Sequence, residues 1–310
     1  MKLAFVFPGQ GSQAVGMLNA FADIAVVRDT LAEASEALGT DVGAMIANGP
    51  KELLDATVNT QPAMLVAGVA TWRAWRAAGG RTPDFLAGHS LGEYSALVAA
   101  GAMDFKAAVR LVRLRAEAMQ AAVPEGQGGM AAILGLDDDA IRAACAEAAQ
   151  GEVVEPVNFN SPGQVVIAGA RDAVARACEA CKARGAKRAM PLPVSVPSHC
   201  ALMRPAAERL AAALADITIL TPAIPVLHNA DVAAYMDAAS IKDALARQLY
   251  SPVRWVETVQ RLAADGVGVV GECGPGKVLA GLNKRIVDGL QATALTEPAS
   301  FDALNALLAA

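Results

Sequence analysis

Short apolar runs alternate with stretches of helical periodicity along nearly all of the 310 residues. Apolar runs at 3–7, 85–88, 224–228 and 267–271 read as buried strands, each bounded by Gly, Pro, Asn or Asp. Between them, apolar positions recur with the helical period over 20–38, 61–78, 91–100 and 104–121, and later over 202–215, 239–249, 253–264 and 278–287. Pro62 is compatible with a first helical turn. Strands separated by helices predict a largely parallel sheet whose ligands bind at the carboxyl ends of the strands.

The rhythm changes after Pro124-Glu125-Gly126-Gln127-Gly128-Gly129, a linker-like run. Residues 130–136 read as strand, 137–150 as helix with three aspartates at its start, 153–159 and 164–168 as a hairpin around Asn160-Ser161-Pro162-Gly163, 173–184 as helix and 186–194 as strand. That β-α-β-β-α-β order is the ferredoxin-like signature. The expected architecture is α/β: a discontinuous large domain of residues 1–125 and 197–310 with a parallel sheet, interrupted by a small ferredoxin-like domain at 126–196.

A chain 54% hydrophobic and only 4% aromatic can bury a substantial core, and its net charge of −5 argues against a dedicated nucleic-acid binder. The opening apolar run is too short for a secretory signal and no stretch approaches a membrane span, so the expected location is the cytoplasm, with no membrane partner. Five cysteines, an odd number, suit reduced thiols. Cys178 and Cys181 form a C-x-x-C pair inside a helical pattern, without the further ligands a tetrahedral zinc site needs, and no metal site is expected.

The chemistry gathers at Phe85-Leu86-Ala87-Gly88-His89-Ser90-Leu91-Gly92-Glu93-Tyr94. An apolar strand feeds a Gly-x-Ser-x-Gly turn that opens directly into a helix, and glycine on both sides lets strand and helix approach closely. Ser90 then stands clear of the sheet at a helix N-terminus, where free N–H groups favour developing negative charge. The competing reading of Ser90 is a helix N-cap.

A serine nucleophile needs a base, and the chain offers only His89, His199 and His228. His89 adjoins Ser90 on a tight turn where neighbouring side chains diverge. His199, in Val196-Pro197-Ser198-His199-Cys200, stands where the small domain returns to the large one and ranks first; His228, at the end of a buried strand, ranks second as a satisfied core histidine. No acid between Ser90 and His199 ends a convincing large-domain strand, so an amide or a backbone carbonyl is left to orient the base, with Gln248 a candidate.

In the helix over 104–121, Arg115 falls in the middle of the apolar face. A guanidinium there needs a carboxylate or phosphate, and two partners stay open: a ligand carboxylate, or a core Asp or Glu. A rival motif, Gly271-Glu272-Cys273-Gly274-Pro275-Gly276-Lys277-Val278, matches a phosphate-binding P-loop except at Val278, where a magnesium-holding hydroxyl belongs; Pro275 also removes an amide. A nucleotide-binding module is thus the poorer alternative, and a serine hydrolase such as a thioesterase the nearer one.

Taken together, several ordered motifs resemble the malonyl-CoA:acyl-carrier-protein transacylases of bacterial fatty-acid synthesis over nearly the whole chain. They are Phe7-Pro8-Gly9-Gln10-Gly11-Ser12-Gln13, Thr60-Gln61-Pro62-Ala63, the Ser90 pentapeptide with Glu93, Arg115, Asn158-Phe159-Asn160-Ser161-Pro162, Val196-Pro197-Ser198-His199, Gln248-Leu249-Tyr250 and Gly274-Pro275-Gly276-Lys277-Val278-Leu279. The resemblance implies an α/β-hydrolase-like large domain with a ferredoxin-like insertion and the active site between them. It implies Ser90 as nucleophile, His199 as base in a dyad without an acid, the Gln248 side chain near the imidazole, backbone amides of Gln10 and Leu91 as oxyanion hole, and Arg115 as receptor of the malonyl carboxylate. Asn160 and Gln61 would line the site, and the Gly-Pro-Gly-Lys loop would be a structural helix start.

The implied substrates are malonyl-CoA, a coenzyme A thioester, and the phosphopantetheine thiol of acyl carrier protein, with no permanently bound cofactor. The chain is read as a monomer. An acidic carrier requires a basic docking patch, for which the candidates are Lys182, Arg184, Lys187 and Arg188 from the small domain and Arg204, Lys284 and Arg285 from the large one.

Overall fold

The computed structural model describes residues 1–194 and 196–309. Nine strands lie among the described residues: β1 (Lys2–Phe7), β2 (Phe85–Gly88), β3 (Gly128–Leu134), β4 (Val154–Ser161), β5 (Gln164–Ala170), β6 (Arg188–Pro191), β7 (Val226–Leu227), β8 (Val267–Cys273) and β9 (Gln291–Leu295). They form two sheets. The first has the order β7-β2-β1-β8-β9, and every pairing in it is parallel. The second has the order β4-β5-β3-β6 with antiparallel pairing throughout. With helices Asp138–Ala149 and Arg171–Ala183 between its strands, the second sheet is the ferredoxin-like unit.

The parallel sheet is buried on both faces, which is why β1 reads as the unbroken apolar run Leu3 to Phe7, all 0% exposed. Helix Thr57–Ala77 crosses one face and is buried on nearly all sides from Thr60 to Trp72, so it lacks a polar stripe. It begins earlier than the periodicity indicates, and Pro62 lies inside it rather than in its first turn. Tertiary burial outweighs the hydrogen bond that proline forfeits. Helix Phe105–Ala122 packs beside it, its start fixed by Asp104, whose side chain accepts the Ala107 N–H.

Other boundaries move for local reasons. The run at 186–194 yields only β6, because Pro191 and Pro193 cannot donate to a ladder. The first long helix is Ala25–Leu38, preceded by a 3-10 turn at Asn19–Phe21. β9 and helix Ala299–Ala309, which the hydrophobic pattern does not single out, complete the edge of the parallel sheet.

The antiparallel sheet is covered by its two helices on one face and packs Val157, Val166 and Ala168 against Cys200 on the other. Ala131, Ile133, Val165 and Ile167 pack under its two helices. The residues between them, Met130, Gln164 and Val166, turn toward the large sheet and line a cavity of about 620 Å³. Val253 ties the two parts together: its N–H donates to Val157 O at 2.8 Å and its carbonyl accepts from Phe159 N–H at 3.0 Å. No described helix is long and apolar enough to cross a membrane.

Candidate active site

Ser90 lies at the cavity wall, between β2 and helix Gly92–Ala99, with φ 52°. A β-carbon on Gly88 would come within 1.9 Å of the Gly92 carbonyl carbon, and one on Gly92 within 2.0 Å of the Phe7 oxygen, so no larger residue fits at either position. The strained turn is clamped from outside. Asn229 Oδ1 accepts the Ser90 N–H at 2.7 Å, Asn229 Nδ2 donates to Gly88 O at 2.6 Å, and Gln248 Nε2 donates to Ser90 O at 3.0 Å. Ser90 does not cap the helix: Leu91 is its N-cap, without a side-chain bond.

Ser90 Oγ lies 2.7 Å from His199 Nε2. On the other side of the ring, His199 Nδ1 faces the backbone carbonyl of Gln248 at 2.8 Å. A carbonyl only accepts, so Nδ1 carries the proton and Nε2 offers a lone pair to the hydroxyl. This is the tautomer a general base requires. His199 is 2% exposed, and burial, reinforced by the Arg115 charge, lowers its pKa to about 3. The imidazole is therefore neutral near pH 7.

Gln248 orients the imidazole through its main chain, whereas its side chain turns toward Arg115, Glu93 and the Ser90 carbonyl. Arg115 is 1% exposed. Its Nη1 donates to Gln61 Oε1 at 2.6 Å, and its Nη2 to Gln248 Oε1 at 3.0 Å and to Ser90 Oγ at 3.2 Å. Among the described residues no Asp or Glu forms an ion pair with it. Of the two partners left open by the sequence, the core acid is thus absent. Burial pulls the guanidinium below its ordinary pKa, opposed by Tyr94 and Glu93.

Gln10 and Leu91 both border the cavity, and among the described residues neither backbone N–H is taken up by another group. Asn160 Oδ1 lies 2.8 Å from His89 Nε2, and the His89 ring leans on Trp255 with centroids 5.5 Å apart. His89 thus braces the turn. His228 is wholly buried, with Nδ1 2.6 Å from Glu93 Oε1.

The basic candidates divide. Lys182 pairs with Glu179, and Arg184 with Glu147. Arg204 stacks over Tyr250 at 4.3 Å. Arg285 donates to Ser161 Oγ at 2.7 Å and to Gln164, which borders the cavity, and Lys284 precedes it on helix Val278–Ile286. Lys187 and Arg188 are exposed at β6, where Arg188 pairs with Leu134, itself the partner of Gln164 across β5.

Three residues of this site had no role in the sequence reading: Glu93, Asn229 and Asn158, whose buried Oδ1 has no partner among the described residues while the residue borders the cavity. Only Glu93 carried a signal, an acid one turn past the serine. The P-loop-like stretch has a different explanation from phosphate binding. The Glu272 carboxylate itself accepts the N–H groups of Leu279 at 3.1 Å and Ala280 at 2.7 Å, filling the helix start that a phosphate would use. All five cysteines are buried free thiols.

A neutral imidazole on a half-buried alcohol, with two amides and a guanidinium close by that have, respectively, no acceptor and no acid partner among the described residues, is equipped to make and break an ester to a carboxylated acyl group. The class that this fold and site define is the acyl transferases: residues 4–296 match the family described as acyl transferase domain. Within that class, the chain is 61% identical over 303 residues to the malonyl CoA-acyl carrier protein transacylase of Salmonella typhimurium, spanning 97% of this chain and 98% of that one. It is 45% identical to the Bacillus subtilis protein of the same name, over 97% and 95% of the two chains. The chain belongs to the malonyl CoA-acyl carrier protein transacylase family. Among solved structures, an acyl-carrier-protein S-malonyltransferase from Burkholderia pseudomallei superposes with a TM-score of 0.97 at 61% identity, over 98% of this chain and 100% of that one. A malonyl-transacylase in complex with a type II PKS acyl-carrier protein gives a TM-score of 0.97 at 57% identity, over 99% and 100%.

Proposed function

We propose that this chain transfers the malonyl group from malonyl-CoA to the phosphopantetheine thiol of acyl carrier protein, through a malonyl ester on Ser90, supplying fatty-acid elongation. The observation that carries the reading is the position of Arg115: a guanidinium with no acid partner among the described residues, bonded to the nucleophile's own oxygen. Ser90 Oγ attacks the thioester carbonyl as its proton passes to His199 Nε2. The oxyanion forms toward the amides of Gln10 and Leu91, the C–S bond breaks, and coenzyme A leaves with the proton from His199. The carrier thiol then gives its proton to His199 and attacks the ester, and Ser90 recovers its hydrogen. Arg115 receives the malonyl carboxylate, with Gln61 holding the guanidinium and Asn160 holding His89 at the cavity wall.

The division into a large domain of 1–125 and 197–310 and a small one of 126–196 belongs to the same reading, with the cavity between them. The carrier docks on the basic rim formed by Lys187, Arg188, Lys284 and Arg285, beside Gln164. Arg204 lies outside that cluster, bound to Tyr250, while Lys182 is spent on Glu179 of its own helix and Arg184 on Glu147 of the neighbouring helix. The chain works as a cytoplasmic monomer without a resident cofactor; the free thiols suit a reducing compartment.

A hydrolase would use the same nucleophile with water as acceptor. Incubation with malonyl-CoA, with and without a pantetheine thiol, separates the two: transfer should outrun hydrolysis by orders of magnitude. Hydrolysis at the same rate with or without the thiol would refute transfer.

A further inference from the structure

Arg115 faces two opposed requirements. A buried guanidinium without an anion nearby is costly, yet an acid seated on its fork would occupy the place that the reading above gives to the substrate. Both requirements meet at Gln248. Its Oε1 accepts from Arg115 Nη2 at 3.0 Å, while its Nε2 donates to Glu93 Oε2 at 2.9 Å and to Ser90 O at 3.0 Å.

Glu93 is 0% exposed. Besides Gln248, its oxygens receive the Asn229 N–H at 2.9 Å and face His228 Nδ1 at 2.6 Å. Oε2 thus takes two N–H donors, the pattern of a carboxylate oxygen, and Oε1 faces the imidazole. A flipped Gln248 amide would set its oxygen against two acceptors, the Glu93 carboxylate and the Ser90 carbonyl, so Glu93 fixes which end of the amide meets Arg115.

We propose that Glu93 is a positioning residue for acyl selectivity: its buried negative charge compensates Arg115 through the Gln248 amide, one residue removed, and so leaves the guanidinium open to an incoming carboxylate. The inference rests on the reading of Arg115 as the malonyl receptor. It makes the charge of Glu93, and not merely its bulk or its hydrogen bonds, a determinant of which acyl group is favoured. Glu93 stabilises the empty site and, being of the same sign as the substrate carboxylate, holds its affinity in check.

Glu93→Gln tests the charge alone. The glutamine oxygen can keep the bonds from Asn229 and Gln248, and its NH₂ can face His228 Nδ1 with the imidazole proton on Nε2, which has no partner among the described residues. The expected result is a lower Tm for the free enzyme together with a malonyl-over-acetyl ratio of kcat/KM raised roughly threefold or more, since one like charge is gone. Gln248→Glu puts an acid directly on the fork and should move the ratio the other way, down by about tenfold or more. A purely structural Glu93 would lower malonyl and acetyl transfer alike.

A Glu93→Gln ratio within about twofold of the parent, or below it, overturns the proposal. Should that variant not fold, Gln248→Glu decides: an unchanged ratio overturns it. Arg115→Ala in the same assay separates the two levels. If its ratio does not fall, the reading of Arg115 has failed; if it falls while the Glu93 and Gln248 variants leave the ratio alone, only the relay has failed.

Discussion

Replacing Arg115 by alanine is the perturbation whose size can be worked from the geometry. The side chain is 1% exposed and makes three hydrogen bonds, at 2.6 Å to Gln61, 3.0 Å to Gln248 and 3.2 Å to Ser90. A malonyl carboxylate on the guanidinium would add two charge-assisted bonds, each about 1.5–3 kcal/mol net. Their loss costs about 3–6 kcal/mol, or roughly 10²- to 10⁴-fold in kcat/KM for malonyl-CoA. Acetyl-CoA never forms those bonds. It loses only what the missing contact to Ser90 Oγ does for the nucleophile, about 0.5–1.5 kcal/mol, or roughly 2- to 13-fold. The assay is transfer to a pantetheine thiol with each thioester, on protein shown to be folded by its thermal transition. Malonyl-over-acetyl preference should collapse by at least about tenfold. Equal losses for both substrates would refute the assignment and leave Arg115 a packing residue.

The remaining predictions address the base, the turn and the docking surface. His199 stays unprotonated in the fold down to about pH 3, whereas in the unfolded chain it protonates near its ordinary 6.5. Stability should therefore be lost as pH falls below 6.5, by ~1.4 kcal/mol per unit from this group, or about 2.7 kcal/mol at pH 4.5. His199→Gln should remove that slope in denaturant titrations, and an identical slope in the variant would contradict it. Asn229→Ala leaves the Ser90 N–H and the Gly88 carbonyl without partners, at about 1–3 kcal/mol each; the variant should melt earlier and acylate Ser90 more slowly, and parental values of both would remove the clamp. Reversing Lys187 and Arg188 together to Glu should raise the KM for the carrier protein while sparing that for malonyl-CoA; an unchanged carrier KM would exclude this face.

What the sequence discloses here follows from what leaves a local trace. The turn at Ser90 is legible because close approach of strand and helix tolerates only glycine, and two glycines therefore stand at fixed offsets. Arg115 is legible because a charge on an apolar helical face violates the periodicity around it. The clamp on Ser90 is not legible, since Asn229 and Gln248 come from 139 and 158 residues away and are ordinary polar residues in their own segments. The Gln248 side chain shows the limit of motif reasoning: proximity to the imidazole was implied, but the contact is made by the carbonyl, which any residue could supply. β9 escapes because a weakly apolar edge strand needs no strong pattern, and the Glu272 loop looks like a phosphate site because a buried carboxylate makes the same demand on helix amides.

The central claim is a malonyl ester on one serine, and intact mass spectrometry after mixing with malonyl-CoA reads it directly. The parent should gain one malonyl group, lose it on addition of a pantetheine thiol, and Ser90→Ala should gain nothing. A parent protein that never carries the adduct during turnover, or a Ser90→Ala variant that still carries it, would contradict the account.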